Sequence, residues 1–273
     1  MLEAILLGIL QGLTEFLPIS SSGHLVLGEH ALGLFSDGHA NILFEVLLHL
    51  GTLLAVLVAY RADLAELIAA LVPAWARRLP PAELARRRRL ILAILLASIP
   101  AGVIGLTLKD PITALFGDPH LVALLLLGTA AILFVGDRLR RGDRLPEDNG
   151  PWRSLAIGLA QALAILPGIS RSGSTIVAGL AVGLRPVEAA RFSFLIMIPA
   201  VSGAAFLEAL DLLGAGSGPE LPLGALLAGF LSSAVVGYLA LQWLLIAIRR
   251  RSLTLFACYC VLLSVVALLF GNL

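Results

Sequence analysis

Two stretches of this chain set hydroxyls beside charge-bearing side chains in the middle of apolar sequence. LPISSSGHL, residues 17–25, holds Ser20, Ser21, Ser22 and His24; LPGISRSGST, residues 166–175, holds Ser170, Arg171, Ser172, Ser174 and Thr175. Gln11 and Glu15 precede the first stretch at i, i+4 spacing, so on a helix they share the face leading into it. These residue types suit a phosphorylated ligand. The arginine fork matches phosphate oxygens, and serine hydroxyls with the free N–H groups of a helix start complete an anion cradle. His24 titrates near neutrality and is the natural general acid or base. A diphosphate carries more charge than one arginine offsets, and Glu15 would repel it unless a hard cation such as Mg2+ sat between carboxylate and phosphate. The plainer alternative is a Glu15–Arg171 ion pair that only locks the two stretches together.

The elements that hold these groups belong in a bilayer. At 59% hydrophobic and 14% charged residues, with a mean hydropathy of +0.99, the chain is far more apolar than soluble domains, which are roughly half apolar and a quarter charged. Runs long enough to span hydrocarbon occur near residues 42–60, 90–108, 119–137, 188–208, 223–248 and 253–271. Strands are not expected. Residues 2–35 and 154–185 are also long enough, but each is broken near its middle by one of the quoted clusters. Seven Arg lie in residues 61–89, five in 138–153 and three in 249–251, whereas 29–41, 109–120 and 208–222 together hold one Lys or Arg, Lys109. The first set of loops is therefore expected inside and the second outside. Each arginine cluster abuts an apolar span, which makes lipid rather than nucleic acid the surface it meets. With these orientations, 2–35 dips in from outside and 154–185 from inside, each as a pair of half-helices.

An internal repeat supports this drawing. A shift of 150 residues pairs Gly8, Gln11, Leu13, Ile19, Ser20, Ser22 and Gly23 with Gly158, Gln161, Leu163, Ile169, Ser170, Ser172 and Gly173. Two halves of opposite orientation with broken helices in matching places are the pattern of inverted-repeat membrane proteins, whose ligands bind at the midplane. The expected architecture is an all-α polytopic membrane protein of six transmembrane helices plus two re-entrant helical hairpins. It forms one domain over 1–273, in halves of about 1–140 and 151–273. Irregular backbone at membrane depth needs burial in protein or water, so both breaks are expected to line one polar cavity. Pro18 and the Pro167–Gly168 pair stop the first half-helices, and the serines after them can cap the second ones. Cys258 and Cys260, two apart on a helix, point in different directions and are expected to pack rather than bridge. The N-terminal run lacks a basic start and contains Glu3, Gln11 and Glu15, unlike a cleaved signal peptide.

QGLTEFLPISSSGH (11–24) and PGISRSGST (167–175) resemble the two signature motifs of the BacA-type undecaprenyl-pyrophosphate phosphatases, and FEVLLHLG (44–51) and FSFLIMIP (192–199) are similar to the family as well. The resemblance covers essentially the whole chain. It implies hydrolysis of undecaprenyl pyrophosphate to undecaprenyl phosphate and inorganic phosphate in the bacterial inner membrane. The site would open to the periplasm or outside and depend on a divalent cation, Mg2+ or Ca2+. Carried onto this chain, the family pattern makes Glu15 the metal-associated carboxylate and Ser21 the candidate nucleophile. His24 would activate Ser21 or protonate the leaving group, and Arg171 would clamp phosphate. Gln11, Ser20, Ser22, Glu45, Ser170, Ser172 and Thr175 would line the substrate. Gln at position 11 removes one carboxylate from the family's Glu/Gln-x-x-x-Glu pattern and leaves Glu15 as the one carboxylate of that pair. Attack by water, with Ser21 only a ligand, stays open.

The competing reading is a transporter or flippase for an anionic prenyl-phosphate lipid, which the repeat favours. Against it, Glu15 aligns with Ile165 and His24 with Ser174, so acid/base groups are concentrated in one copy. The spacings Gly8/Gly12 and Gly179/Gly183 suit close helix packing within one chain or in a homodimer.

Overall fold

A computed structural model describes residues 1–32, 40–139, 141–215, 222–249 and 253–270, without the side chains of 29–32, 40–42, 212–215 and 270. Among the described residues the regular structure is all helix, apart from one isolated bridge between Arg144 and Leu184. In order the helices are α1 (Leu2–Phe16), α2 (Ser21–Leu32), α3 (Ala40–Ala59), α4 (Arg61–Leu71), α5 (Pro73–Ala76), α6 (Pro81–Thr107), α7 (Lys109–Leu115), α8 (Pro119–Arg138), α9 (Pro151–Leu163), α10 (Arg171–Ala181), α11 (Pro186–Ala215), α12 (Leu223–Arg249) and α13 (Leu253–Phe270). The starts follow local chemistry. The Asp118 carboxylate accepts from Leu121 N–H at 3.0 Å ahead of Pro119, and proline occupies the first turn of α6, α8 and α9.

Four helices, over Pro81–Thr107, Pro119–Arg138, Pro186–Asp211 and Leu223–Arg249, are long and apolar enough to cross a membrane. The expected span near 42–60 passes only together with α4, which bends away by 78° at Tyr60, where Arg61 ends the apolar run. The last apolar helix is α13, 18 residues over Leu253–Phe270. The chain is thus a multi-pass, all-helical membrane protein. Arg250, Arg251 and most of the arginine-poor segments 29–41 and 208–222 lie outside the described residues.

Ion pairs mark the two ends of the molecule. At one end, Lys109 Nζ meets Asp211 Oδ2 at 2.5 Å and Glu208 Oε1 at 3.0 Å, tying the α6–α7 turn to the late part of α11. At the other, Arg191 of α11 pairs with Asp63 of α4 and with Glu188, and Arg86 of α6 pairs with Glu147. Between them lies an apolar core in which Phe16, Tyr60 and Phe194 meet, with ring centroids 5.5 Å apart for Phe16–Phe194 and 6.2 Å for Tyr60–Phe194.

The broken segments are pressed against long helices where side chains are smallest. α1 ascends α12 in parallel, Gly8 against Gly229 and Gly12 against Gly237, where an added Cβ would come 2.7 Å from the Gly237 nitrogen. α2 then brings Gly28 back beside Leu10. α9 ascends α6 in the same manner, Gly158 against Ala97 and Ile165 near Gly105. α10 carries Val177 to Gly136 of α8 and Gly179 to Ala189 of α11. Cys258 and Cys260 are free thiols, the first exposed and the second buried.

Candidate active site

The two breaks are built alike and interlock. After α1, Leu17 is extended and Ser20 takes a left-handed φ of 69°, sparsely populated for a residue with a Cβ. Its Oγ then accepts from Gly23 N–H at 3.2 Å to cap α2. After α9, Gly168 has φ 91°, in a space where a Cβ would lie 2.5 Å from the Val122 carbonyl oxygen, and Ser170 Oγ caps α10 by accepting from Gly173 N–H at 3.1 Å. Ser20–Ser22 and Ser170–Ser172 are hydroxyl pairs at 3.2 Å in each. Across the breaks, Ser172 donates to the Leu17 carbonyl at 3.2 Å and Gly168 N–H donates to Ser22 Oγ at 3.4 Å. Thr129 of α8 straddles the second break, donating to the Gly168 carbonyl at 2.7 Å and accepting from Ser170 N–H at 2.9 Å. The starts of α2 and α10 are thereby brought to one place, with their free N–H groups and positive dipole ends.

Glu15 is the hub of that place and is only 7% exposed. Its Oε1 takes Arg171 Nη2 at 2.6 Å. Its Oε2 accepts from the Ser21 hydroxyl at 2.6 Å and from Gln11 Nε2 at 3.1 Å, with His49 Nε2 3.8 Å away. Short bonds to a carboxylate are the strong, charge-assisted kind. Two groups here are buried and unpartnered, Arg171 Nη1 and Gln11 Oε1, a donor and an acceptor left over at the point where a ligand would sit.

The residues singled out by sequence divide clearly. Gln11, Glu15, Ser21 and Arg171 form one bonded cluster. Ser20, Ser22, Ser170 and Ser172 shape the breaks and hold them together. Thr175 bonds Ser193 Oγ at 2.5 Å and the Arg171 carbonyl at 2.8 Å, fixing α10 to α11. Glu45 sits one turn before His49, whose Nδ1 donates to the Glu45 carbonyl at 2.9 Å. His24, expected to activate Ser21 or protonate the leaving group, has Nδ1 2.7 Å from the Ser20 carbonyl and Nε2 2.7 Å from the Tyr259 hydroxyl. The Ser20 carbonyl captures the ring in the first turn of α2, leaving the Ser21 hydroxyl to Glu15. His49, Tyr259 and Thr129 were not read from sequence. The signal was there in each case, a lone polar side chain in an apolar run, but nothing in the run says which neighbour it meets.

As it stands the cluster can hold an oxyanion against a guanidinium and two helix starts, with a hydroxyl whose proton already points at a carboxylate. Among the described residues, no three His, Cys, Asp or Glu side chains gather closely enough to hold a metal ion. Glu15 and the unpartnered Gln11 Oε1 fit a hard cation that arrives with phosphate oxygens as further ligands.

Comparison with known proteins agrees with this geometry. The family described as Bacitracin resistance protein BacA matches residues 4–266. Undecaprenyl-diphosphatase of Rubrobacter xylanophilus is 44% identical over 259 residues, covering 95% of this chain and 94% of that one. The protein of the same name from Syntrophotalea carbinolica is 44% identical over 263 residues, 96% of either chain, and that of Methanobrevibacter smithii 39% identical over 277 residues, 97% and 95%. With the family match running nearly end to end and such relatives aligned over at least 94% of their length, the chain belongs to the BacA family of bacitracin resistance proteins.

Proposed function

We propose that this protein is an undecaprenyl-diphosphate phosphatase, cleaving the diphosphate to undecaprenyl phosphate and inorganic phosphate and so recycling the lipid carrier of cell-wall synthesis. The observation that carries the reading is the Ser21 hydroxyl donating to Glu15 at 2.6 Å, beside an arginine with one buried nitrogen still free. A serine activated by an adjacent base is the usual arrangement for covalent catalysis. Ser21 Oγ attacks the terminal phosphorus as its proton passes to Glu15, the bond to the bridging oxygen breaks, and undecaprenyl phosphate departs. Water then releases phosphate from the serine. Arg171 Nη1 and the N–H groups at the starts of α2 and α10 face the charge that develops on the phosphoryl oxygens. A divalent cation, Mg2+ or Ca2+, held by Glu15 and Gln11 Oε1 would neutralise phosphate charge.

We also propose that both broken segments are re-entrant hairpins of an inverted repeat with halves of about 1–140 and 151–273. The parallel runs of α1 on α12 and α9 on α6, each followed by a return, support that reading, as do the matched serine pairs. Six helices then cross the membrane, α3, α6, α8, α11, α12 and α13. The arginine-rich end faces the cytoplasm and the Lys109 end the outside of the inner membrane. The partly exposed His49 connects Glu15 toward Glu45 and Glu208 at the Lys109 end, which supports an outward-facing mouth. The flippase reading has no comparable observation.

The test is phosphate release from an isoprenyl diphosphate by purified protein in lipid nanodiscs. Release that EDTA stops, that Mg2+ or Ca2+ restores, and that Ser21→Ala abolishes in folded protein is expected. Wild-type protein that binds the lipid but releases no phosphate overturns the phosphatase. Release in the presence of EDTA overturns the cation.

A further inference from the structure

His24 is gripped at both ring nitrogens. Nδ1 faces the Ser20 carbonyl, which can only accept, so Nδ1 carries a proton. The ring is 8% exposed. An unpaired imidazolium at membrane depth is costly, so the ring is neutral, Nε2 keeps its lone pair, and the Tyr259 hydroxyl donates to it at 2.7 Å.

Tyr259 is an unusual residue for its position. It is 41% exposed, on the face of α13 that also presents Leu255, Leu262 and Val266. Membrane tyrosines concentrate at the two interfaces, yet this one lies well inside an apolar helix, its ring along the lipid-facing surface and its hydroxyl turned inward. The two rings are parallel within 3°, centroids 5.6 Å apart. The same stretch of α13 is fastened to the first break and to α8, through Cys260 Sγ at 4.0 Å from the Pro18 carbonyl and Ser264 Oγ at 2.6 Å from the Ala123 carbonyl. The helix that presents the hydroxyl is thus held in register with the turn that presents His24.

We infer that Tyr259 is a positioning residue for the reaction, acting through His24 by holding in one orientation the imidazole whose tautomer the Ser20 carbonyl sets. The inference rests on the phosphatase reading of this site. It separates two tasks: Glu15 serves Ser21, and the His24–Tyr259 pair, bonded through Nδ1 to the Ser20 carbonyl, holds the first turn of α2 on which Ser21 stands. Without the hydroxyl, the ring loses the partner that fixes Nε2 and turns about its side-chain bonds.

The experiment uses full-length protein in nanodiscs with 15N-labelled histidine, the His24 signals being assigned by their loss in His24→Gln. Wild type is expected to show a protonated Nδ1 and a hydrogen-bonded, unprotonated Nε2. Tyr259→Phe keeps the ring and is expected to move Nε2 toward the position of an unbonded nitrogen. It should lower kcat for the isoprenyl diphosphate by about tenfold, the worth of one well-placed hydrogen bond, with KM within about twofold. His24→Gln combined with Tyr259→Phe should be no slower than His24→Gln alone. A wild-type His24 with its proton on Nε2, an Nε2 signal unmoved by Tyr259→Phe, or losses that multiply in the double variant overturns the inference. The wild-type spectrum decides the tautomer even where Tyr259→Phe does not fold. Wild-type protein without phosphate release refutes the phosphatase instead, and the spectra still report on the pair.

Discussion

Glu15 and Arg171 invite the simplest objection to an active site here, that they are only a buried lock between two broken helices. A double-mutant cycle separates lock from catalyst. The side chains are 7% and 16% exposed and meet at 2.6 Å, so deleting one charge leaves the other buried without compensation. Such deletions cost about 3–5 kcal/mol, whereas replacing both partners with neutral groups of similar volume is close to neutral. Glu15→Gln and Arg171→Met should each lower stability by about that amount, and the double variant should return to within roughly 1 kcal/mol of wild type. Stability is read from equilibrium unfolding in mixed micelles, activity from phosphate release. All three variants should be inactive, because Ser21 has lost its base, the phosphate its clamp, or both. Single variants as stable as wild type would refute the buried pair. A stable double variant that still hydrolyses the diphosphate would reduce the pair to a lock.

Two further outcomes test the scaffold. Gly158→Ala should cost about 1–3 kcal/mol by overpacking, since its Cβ would come 2.4 Å from the Ala97 carbonyl oxygen, while Gly105→Ala in the same α6–α9 seam, with its nearest neighbour 3.9 Å away, should be tolerated; thermal stability in detergent checks both. At the Lys109 end, the hydrogen bonds from Lys109 to Asp211 and Glu208 hold its ammonium above the ordinary 10.5. A raised folded value means stabilisation that is complete below about 10.5 and is lost as pH climbs through the raised value, so the stability gap between wild type and Lys109→Met should be constant near neutrality and close in strong alkali.

Much of this molecule is visible in its primary structure for a physical reason. Length and hydropathy of a run decide whether it can be a membrane helix before any partner is known, and Pro18, Pro167 and Gly168 break helices through their own backbone chemistry. The 150-residue repeat likewise foretold two similar breaks, and they match down to the Ser20–Ser22 and Ser170–Ser172 pairs. Other expectations depended on direction. Glu15 and Arg171 were candidates because charge is costly in lipid, an argument that needs no structure; that they touch across 156 residues of sequence does. The expected span near 42–60 shows both sides. Its apolar run ends with α3 at Ala59, as composition indicates, but the 78° angle at which α4 leaves it is not written in that run.

By itself, then, the sequence determined that the chain is a helical membrane protein with two polar breaks fit for an anion, because composition, periodicity and helix-breaking residues are local properties. Only the tertiary structure decided which side chains meet: that the Ser21 hydroxyl bonds Glu15, that His49 reaches the same carboxylate, and that Tyr259 bonds His24 across 235 residues. Hydrogen bonds form or fail within a few tenths of an ångström. Distances that small are set by how distant helices cross, at contacts such as Gly8 on Gly229 and Gly158 on Ala97, and no local property of the chain contains them.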